Sequence, residues 1–334
     1  MQLILDTPGT KLSRTNALFE VKHQEMQQTF SPEKIDSILL SKGIMVSTDA
    51  VLLALENGIE MVFISNDGSP KGRIWNNKFG SIAAIRRNQV LFSQSPDGMD
   101  WARERLLEKI NSQYNFLLQI RHSLPNLPEQ KIDRALHAIQ RIVKKTGEKL
   151  DTSLALHTQA ATLRGWEGTA SRNYFAALSL ALPEVYQFSE RSRRPAKDLF
   201  NALLNYLYGI LYSQVEGALI KAGIDPAIGV WHADEYNKPV LAYDFIEPYR
   251  VWADTVAFRL CQQYALQTAD TIPEKNGVWL APSGKKTAVT HFNAYMEEII
   301  PSRNLRRTRL VHIQLEAQEL AQRLLQYKPP RKLL

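Results

Sequence analysis

Short runs of apolar or alternating residues, separated by turn residues, fill the beginning of the chain. Apolar or alternating runs that are typical of strands lie at residues 2–6, 18–22 and 59–65. Residues 48–56 predict one short helix, and Asn66-Asp67-Gly68 predicts a turn. We therefore expect a small N-terminal β-rich domain over residues 1–93.

From about residue 99 the apolar residues recur at helical spacing. Asp100 has the character of an N-cap. One helical face then collects Leu106, Leu107, Ile110, Tyr114, Leu117 and Leu118. Further helices are predicted over residues 134–145, 152–164, 198–220, 245–266 and 310–327. Since 198–220 is apolar almost all round, we expect it to be a central buried helix.

The two patterns together predict an α+β protein. A larger all-α domain is expected over residues 99–327, after a break in the Ser-, Pro- and Gly-containing stretch 93–98. A basic tail follows at 328–334. The length of 334 residues suits two domains, and 44% hydrophobic residues suffice for a sizeable core.

The charge balance is compatible with an anionic partner. The chain has 41 Lys and Arg against 34 Asp and Glu, a formal net charge of +7. A mildly basic chain is either adapted to a polyanion such as nucleic acid or simply made soluble by its charge.

A single cysteine, Cys261, rules out disulfide frameworks and cysteine-rich zinc sites and favours a reducing compartment. It follows an apolar run and is expected to be a buried, unreactive thiol. The N-terminus lacks the features of a signal peptide, and no segment has about 18 consecutive apolar residues. These features predict a cytoplasmic protein without a membrane partner.

Three segments carry residues that suit metal chemistry. They are Gly-Trp-Glu167-Gly, Gly-Val-Trp-His232 and Asp244-Phe-Ile-Glu247. On a helix, the spacing of three places Asp244 and Glu247 on one face, where a cation or a shared proton must relieve their repulsion. Two carboxylates and an imidazole suit Mg²⁺ or Mn²⁺, and such an ion polarises a phosphoryl oxygen.

Each segment also has a plainer interpretation. Glu167 would be a surface glutamate at a helix kink, His232 a structural histidine, and Asp244 an N-cap on a solvated acidic face. Only the three segments together favour a shared metal site for phosphodiester cleavage or strand transfer.

The order and spacing of these segments resemble those of a known family. The likeness is carried by Gly-Trp-Glu-Gly with Tyr-Phe at 165–175, Arg-Pro with Asn-Ala-Leu-Leu-Asn-Tyr-Leu-Tyr-Gly at 194–209, and Gly-Ile-Asp-Pro-Ala-Ile-Gly-Val-Trp-His leading to Asp-Phe-Ile-Glu-Pro-Tyr-Arg at 223–250. As a set they resemble the CRISPR-associated spacer-acquisition endonuclease/integrase family, the universal first Cas protein. The strand-rich beginning and helical remainder extend the resemblance to the whole chain.

The resemblance implies a β-rich N-terminal domain for dimerisation and partner contact, followed by an all-α catalytic domain. It implies a homodimer that uses Mg²⁺ or Mn²⁺ to act on double-stranded DNA. It also implies the small second CRISPR-associated protein as an adaptor between two dimers. The reaction implied is attack of a DNA 3′-hydroxyl on a repeat-end phosphodiester, or of water when the site acts as a nuclease.

The family's metal ligands fall on Glu167, His232 and Glu247, and Asp244 completes the catalytic set as a supporting or alternative ligand. Trp231 stands where the family is usually aliphatic, and Asp-Phe-Ile-Glu replaces the usual Asp-Leu-Met-Glu. Neither departure removes a ligand, but both leave the subfamily and the substrate preference open.

Several basic runs are candidates for DNA contact, because cations neutralise phosphates. They lie at residues 86–87, 191–197, 285–286 and 303–309. Of these, Lys285, Lys286, Arg193 and Arg194 are the predicted contacts, and a solvated charged surface is the alternative for each. Tyr174 and Tyr206 are expected in the core rather than as hydroxyls in the site.

Two other functions fit the same residues. One is a stand-alone metal-dependent nuclease of DNA repair, or a transposon-encoded integrase. The other is a catalytically silent DNA-binding scaffold, against which the retained acidic and histidine residues argue.

Overall fold

Strands form the first part of the chain and helices most of the remainder. The computed structural model describes residues 1–65, 68, 70–75, 81–124, 127–151, 153–232 and 238–329. The strands of the first part are β1 (Gln2–Leu5), β2 (Lys11–Thr15), β3 (Leu18–His23), β4 (Met26–Phe30), β5 (Ser37–Leu40), β6 (Met45–Val46), β7 (Glu60–Ile64) and β8 (Pro70–Ile74), with helix α1 (Thr48–Glu56) before β7. The turn predicted at Asn66-Asp67 lies outside the described residues.

These eight strands form two four-stranded sheets. One has the order β1-β5-β7-β8, in which only β8 is antiparallel to its neighbour. The other has the order β4-β3-β2-β6, an antiparallel meander extended by the parallel strand β6. The register of the first sheet places Leu3 beside Ile38 and Ile38 beside Met61. Together with Leu12 and Phe19 of the second sheet, these buried side chains form one apolar core that joins the two sheets.

The second part is built mainly from helices. They are α2 (Ile82–Ser93), α3 (Pro96–Ser123), α4 (Glu129–Gly147), α5 (Leu156–Leu180), α6 (Leu199–Lys221), α7 (Val240–Phe245), α8 (Arg250–Gln262), α9 (Pro282–Glu297) and α10 (Arg309–Gln326). Two antiparallel hairpins, which the sequence patterns missed, consist of β9 (Thr271–Glu274) with β10 (Gly277–Leu280) and β11 (Ile299–Ser302) with β12 (Leu305–Thr308). The predicted α+β class is confirmed. None of the described helices combines the length and apolar character needed to cross a bilayer.

Helix α6 lies at the centre of the helical part, as its all-round apolar sequence predicted. Asp198 precedes it and accepts the N–H of Asn201 (2.7 Å), which caps the helix. Its buried side chains pack against α8, α9 and α10. A helix without a polar face has to be covered on all sides, and α6 therefore organises the elements around it.

The helical part begins earlier than the sequence pattern suggested. Helix α2 occupies the last residues of the segment 1–93, which we had predicted to be β-rich. Its buried Ile85 and Phe92 belong to the core that the other helices share. Their spacing of seven residues puts both on one helical face, so α2 packs with the helices rather than with the sheets.

Two helix boundaries also differ from the prediction. Helix α3 is capped by the Ser95 hydroxyl, and Asp100 lies inside the helix. A 3₁₀ turn at Glu247–Tyr249 separates α7, which ends at Phe245, from α8, so the helix predicted over 245–266 begins only at Arg250 and ends at Gln262. Pro248 lies in this turn and has no N–H to continue the first helix.

A buried ion triad joins the strands to the helices. Arg73 on β8 donates to the carboxylates of Glu60 on β7 and Glu216 on α6, and to the carbonyl of Ser213 (3.3 Å). The side chains of Arg73 and Glu60 are each 5% exposed, and that of Glu216 is 12% exposed. The triad thus links one sheet edge to the central helix through charges that water cannot easily solvate.

Candidate active site

Glu167 lies within α5 on a surface that stays open. The Gly-Trp-Glu-Gly segment is helical throughout. A Cβ added at Gly165 or Gly168 would meet no atom within 4 Å. Glu167 is 30% exposed, and Ser171, one turn later, donates to its Oε1 (2.8 Å). The two glycines therefore leave space for a ligand to approach the carboxylate.

A lysine on α3 joins two of the predicted ligands. The ammonium of Lys109 lies 2.6 Å from Glu167 Oε1 and 2.5 Å from Glu247 Oε2. The Lys109 side chain is only 5% exposed, and that of Glu247 only 4%. Glu247 Oε1 also accepts from Nε of Arg250 (2.8 Å). Glu167 and Glu247, which are distant in the chain, therefore meet around one positive charge.

The same cations keep both glutamates ionised. Burial by itself raises the pKa of Glu247, but the charges of Arg250 and Lys109 outweigh it and hold the pKa at about 2. Burial also raises the pKa of Glu167, and Lys109 again outweighs it, with help from the Ser171 hydroxyl, so that the pKa is lowered. Carboxylate oxygens are the protein donors that a divalent cation such as Mg²⁺ prefers.

His232 is held in place by Asp244. Oδ1 of Asp244 lies 2.6 Å from His232 Nδ1 and accepts the backbone N–H of His232 (3.1 Å). Its Oδ2 accepts the N–H groups of Val230 (2.8 Å) and Trp231 (3.0 Å). Asp244 is completely buried, so both of its oxygens are used within the protein. A carboxylate at Nδ1 leaves Nε2 for a metal, an arrangement common among metal-binding histidines.

The loop before His232 has no room for a side chain at Gly229. A Cβ there would lie 2.8 Å from Val240 Cγ2 and 2.9 Å from the carbonyl oxygen of His232. Helix α7, which carries both Val240 and Asp244, therefore packs directly onto this loop. The glycine in the motif is explained by this close approach.

A layer of tyrosines and arginines lies behind the glutamates. Asp254 on α8 accepts from the hydroxyls of Tyr174 (2.8 Å) and Tyr208 (2.6 Å), and burial raises its pKa to about 6. The guanidinium carbons of Arg250 and Arg191 lie 5.1 Å and 5.5 Å from the centroid of the Tyr208 ring. This layer holds Arg250 in position for its bond to the buried glutamate.

The glutamates and His232 line a groove of about 1570 Å³. Among the described residues that line it are eleven Lys and Arg side chains and five Asp and Glu side chains. This excess of cations attracts a polyanion and repels other cations outside the acidic centre.

Three of the four predicted DNA contacts line this groove, namely Arg193, Arg194 and Lys285. Lys286 is exposed but does not belong to the lining. The ammonium of Lys285 lies 5.7 Å from the centroid of the Tyr206 ring. Contact of these four residues with DNA stays a prediction.

The residues predicted for the core are buried. Tyr174 and Cys261 are each 0% exposed and Tyr206 is 3% exposed. Burial raises the pKa of the Cys261 thiol to about 12, which leaves almost no reactive thiolate. The expectation of an unreactive thiol is thus supported by its surroundings.

Lys109 is the site residue that the sequence patterns missed. It lies on the face of α3 that also carries Leu106, Ile110 and Gln113, all of which are buried. A lysine within such a stripe must bury its charge and therefore needs an anionic partner. That interruption of the apolar stripe is the signal from which Lys109 could have been found.

The chemistry of these residues fits a divalent cation. Two ionised carboxylates already meet at one positive charge, and His232, in the same groove, keeps Nε2 for a further bond. In the part of the chain that the structure describes, no three His, Cys, Asp or Glu side chains form a ready-made metal cluster. The ligand set Glu167, His232 and Glu247 stays a prediction.

The fold and the site define an α+β protein with an acidic–histidine centre in a basic groove. The family model described as CRISPR associated protein Cas1 matches residues 3–294. The chain is 31% identical over 288 residues to CRISPR-associated endonuclease Cas1 1 of Archaeoglobus fulgidus, with 81% of each protein covered. The chain belongs to the Cas1 family, and the resemblance seen in its motifs is confirmed.

Solved structures share the fold. A casposase bound to its integration product superposes with a TM-score of 0.79 and 21% identity, covering 98% of this chain and 92% of that chain. The chain from a Cas6-RT-Cas1–Cas2 complex gives a TM-score of 0.78 and 23% identity, covering 97% of this chain and 35% of that chain. At these identities the similarity concerns the fold alone.

Proposed function

We propose that this protein is a metal-dependent DNA endonuclease/integrase that inserts new spacers into a CRISPR array. The observation that carries the proposal is the meeting of the Glu167 and Glu247 carboxylates at the ammonium of Lys109 in a basic groove. Membership of the Cas1 family, which includes a relative named as an endonuclease, supports the same activity.

In the proposed reaction a DNA 3′-hydroxyl attacks the phosphorus at the end of a repeat. A bond forms between the attacking 3′ oxygen and phosphorus, and the bond from phosphorus to the 3′ oxygen of the preceding nucleotide in the cleaved strand breaks. The proton lost by the attacking hydroxyl is balanced by one gained by the departing oxygen. With water in place of the hydroxyl the same exchange is hydrolysis, so one site serves both activities.

Glu167, His232 and Glu247 would hold Mg²⁺ or Mn²⁺, which supplies a Lewis acid that polarises a phosphoryl oxygen. Asp244 orients the imidazole through its 2.6 Å contact with Nδ1. Arg250 orients Glu247 through its 2.8 Å bond. Both supporting residues keep the ligands in place before any substrate enters, which reduces the entropy lost on binding.

The cations of the groove would bind DNA phosphates. Arg193, Arg194 and Lys285 line it, and Lys286 follows on α9. Each phosphate contact releases counterions and makes affinity salt-dependent. A charge-reversal variant of all four residues should therefore show a smaller slope of affinity against salt, and an unchanged slope would contradict these contacts.

We propose double-stranded DNA, a second copy of this chain and the small second CRISPR-associated protein as partners, the last as an adaptor between two dimers. The protein contacts are assigned to the β-rich part. There β4 forms a sheet edge with exposed side chains, including Met26 at 71% exposure. Exposed strand edges readily pair with another chain. A protein of this fold occurs in a Cas6-RT-Cas1–Cas2 complex.

The test is half-site integration into a repeat-bearing plasmid, with and without Mn²⁺ or Mg²⁺ and with and without the partner protein. His232→Ala should abolish joining while circular dichroism and gel filtration match the wild type. Glu190→Gln is the matched control, because Glu190 lines the same groove but pairs with Lys197 (2.6 Å). Joining by the His232→Ala variant at the normal rate would refute the role of this histidine.

Other outcomes of the same assay identify the alternatives. Metal-dependent cleavage or joining without preference for a repeat indicates a stand-alone repair nuclease or a transposon-type integrase. DNA binding without metal-dependent chemistry indicates a scaffold.

A further inference from the structure

Lys109 contacts the oxygens to which a divalent cation would bind. Its ammonium lies 2.6 Å from Glu167 Oε1 and 2.5 Å from Glu247 Oε2. A magnesium ion binds carboxylate oxygens at about 2.1 Å. Two cations that share one pair of carboxylates are only a few ångströms apart and repel each other strongly in a partly buried site.

Packing fixes the backbone of Lys109, but the ammonium at the end of its side chain can move towards a different anion. Buried neighbours on α3, Leu106, Ile110 and Gln113, anchor this turn of the helix. The lysine has a flexible four-carbon side chain, and Lys109 belongs to the lining of the basic groove. Its ammonium therefore lies within reach of an anion that enters the groove.

We propose that Lys109 competes with the divalent cation for Glu167 and Glu247, and that a DNA phosphate relieves the competition by offering the ammonium another anionic partner. This inference rests on the proposed function. It makes metal and DNA binding reinforce each other, and the factor by which DNA raises metal affinity equals the factor by which metal raises DNA affinity. The metal is thus bound most strongly when DNA is in place.

The experiment measures Mn²⁺ affinity from the free Mn²⁺ signal in electron paramagnetic resonance. Titrations are made with and without a duplex whose 3′ ends are dideoxy-terminated, and a gel checks that the duplex stays intact. Lys109→Gln keeps hydrogen-bond donors near the glutamates and removes the charge. Without DNA it should bind Mn²⁺ at least about tenfold more tightly than the wild type, because the repulsion of a nearby unit charge exceeds the corresponding 1.4 kcal/mol. In Lys109→Gln, the factor by which DNA raises Mn²⁺ affinity should be smaller than in the wild type, again by about tenfold.

Three further variants make the comparison specific. Lys109→Arg keeps the charge and should keep weak Mn²⁺ binding and the full effect of DNA. Lys131→Gln, at an exposed lysine on α4, should match the wild type. Lys109→Met also lacks the charge and replaces Lys109→Gln if urea unfolding shows that the glutamine variant is not folded.

The outcomes separate the lysine proposal from the proposed function. Lys109→Gln protein that binds Mn²⁺ no more tightly than the wild type overturns the proposal, and so does an undiminished effect of DNA. If the double variant Glu167→Gln/Glu247→Gln binds Mn²⁺ like the wild type, the metal site is elsewhere and both proposals fail. If the double variant loses Mn²⁺ binding while Lys109→Gln changes nothing, only the role of Lys109 is wrong.

Discussion

Replacing Asp244 with asparagine tests how the structure holds His232. Asp244 is completely buried and accepts the N–H groups of Val230 (2.8 Å), Trp231 (3.0 Å) and His232 (3.1 Å), besides its contact with His232 Nδ1 (2.6 Å). In Asp244→Asn one oxygen becomes an NH₂ group, which donates and cannot accept. In either orientation of the amide, N–H groups of the 230–232 loop then face a donor.

The magnitude follows from these contacts. A hydrogen bond to a charged group contributes about 1.5–3 kcal/mol, and the substitution removes at least one such bond and the charge behind the others. We expect the free energy of unfolding to fall by about 3–5 kcal/mol. Because the carboxylate no longer fixes the imidazole, Mn²⁺ affinity should fall by roughly 10- to 100-fold.

Two measurements check this expectation. Urea unfolding followed by tryptophan fluorescence gives the stability, and Mn²⁺ titration gives the metal affinity. Asp225→Asn is the control, because the half-buried Asp225 accepts through its side chain a single, solvent-exposed backbone N–H bond from Ala227 (2.9 Å) in the preceding loop, which the amide oxygen of asparagine can also accept. It should change the stability by less than about 1 kcal/mol. A folded Asp244→Asn protein with wild-type stability and wild-type Mn²⁺ affinity would refute the reasoning.

Two further predictions concern buried charges. Arg73→Met leaves Glu60 and Glu216 buried without their cation, so the free energy of unfolding in urea should fall by about 3–5 kcal/mol. Arg14→Met at an exposed ion pair should cost less than about 1 kcal/mol, and equal losses would contradict the role of the triad. Burial raises the pKa of Asp254 from 3.8 to about 6, so its contribution to stability is full below pH 3.8 and is lost as the pH rises through 6. Asp254→Asn should remove this pH-dependent loss of stability, which amounts to up to about 3 kcal/mol. If the variant's free energy of unfolding in urea depends on pH as the wild type's does, the prediction is wrong.

Elements whose pattern is local were predictable from the sequence. The all-round apolar stretch after Asp198 predicted α6, because both the burial and the cap depend on neighbouring residues. The sequence patterns did not predict helix α2, because two buried residues, Ile85 and Phe92, are too few to mark an apolar stripe. They are buried only because other helices pack over them. The hairpin of β9 and β10 was missed for a related reason: β9 is largely exposed and lacks a buried alternating face.

The sequence by itself determined which chemistry the chain can offer. Glu167, His232 and Glu247 were recognisable because glycines, aromatic residues and a proline surround them in a specific order. Only the tertiary structure decided how they are connected. It showed that Asp244 is fully occupied by the histidine loop and that Lys109 lies between the two glutamates. A side chain's type and spacing are local properties, whereas the partner of a buried charge is chosen by the packing of helices that are distant in the chain.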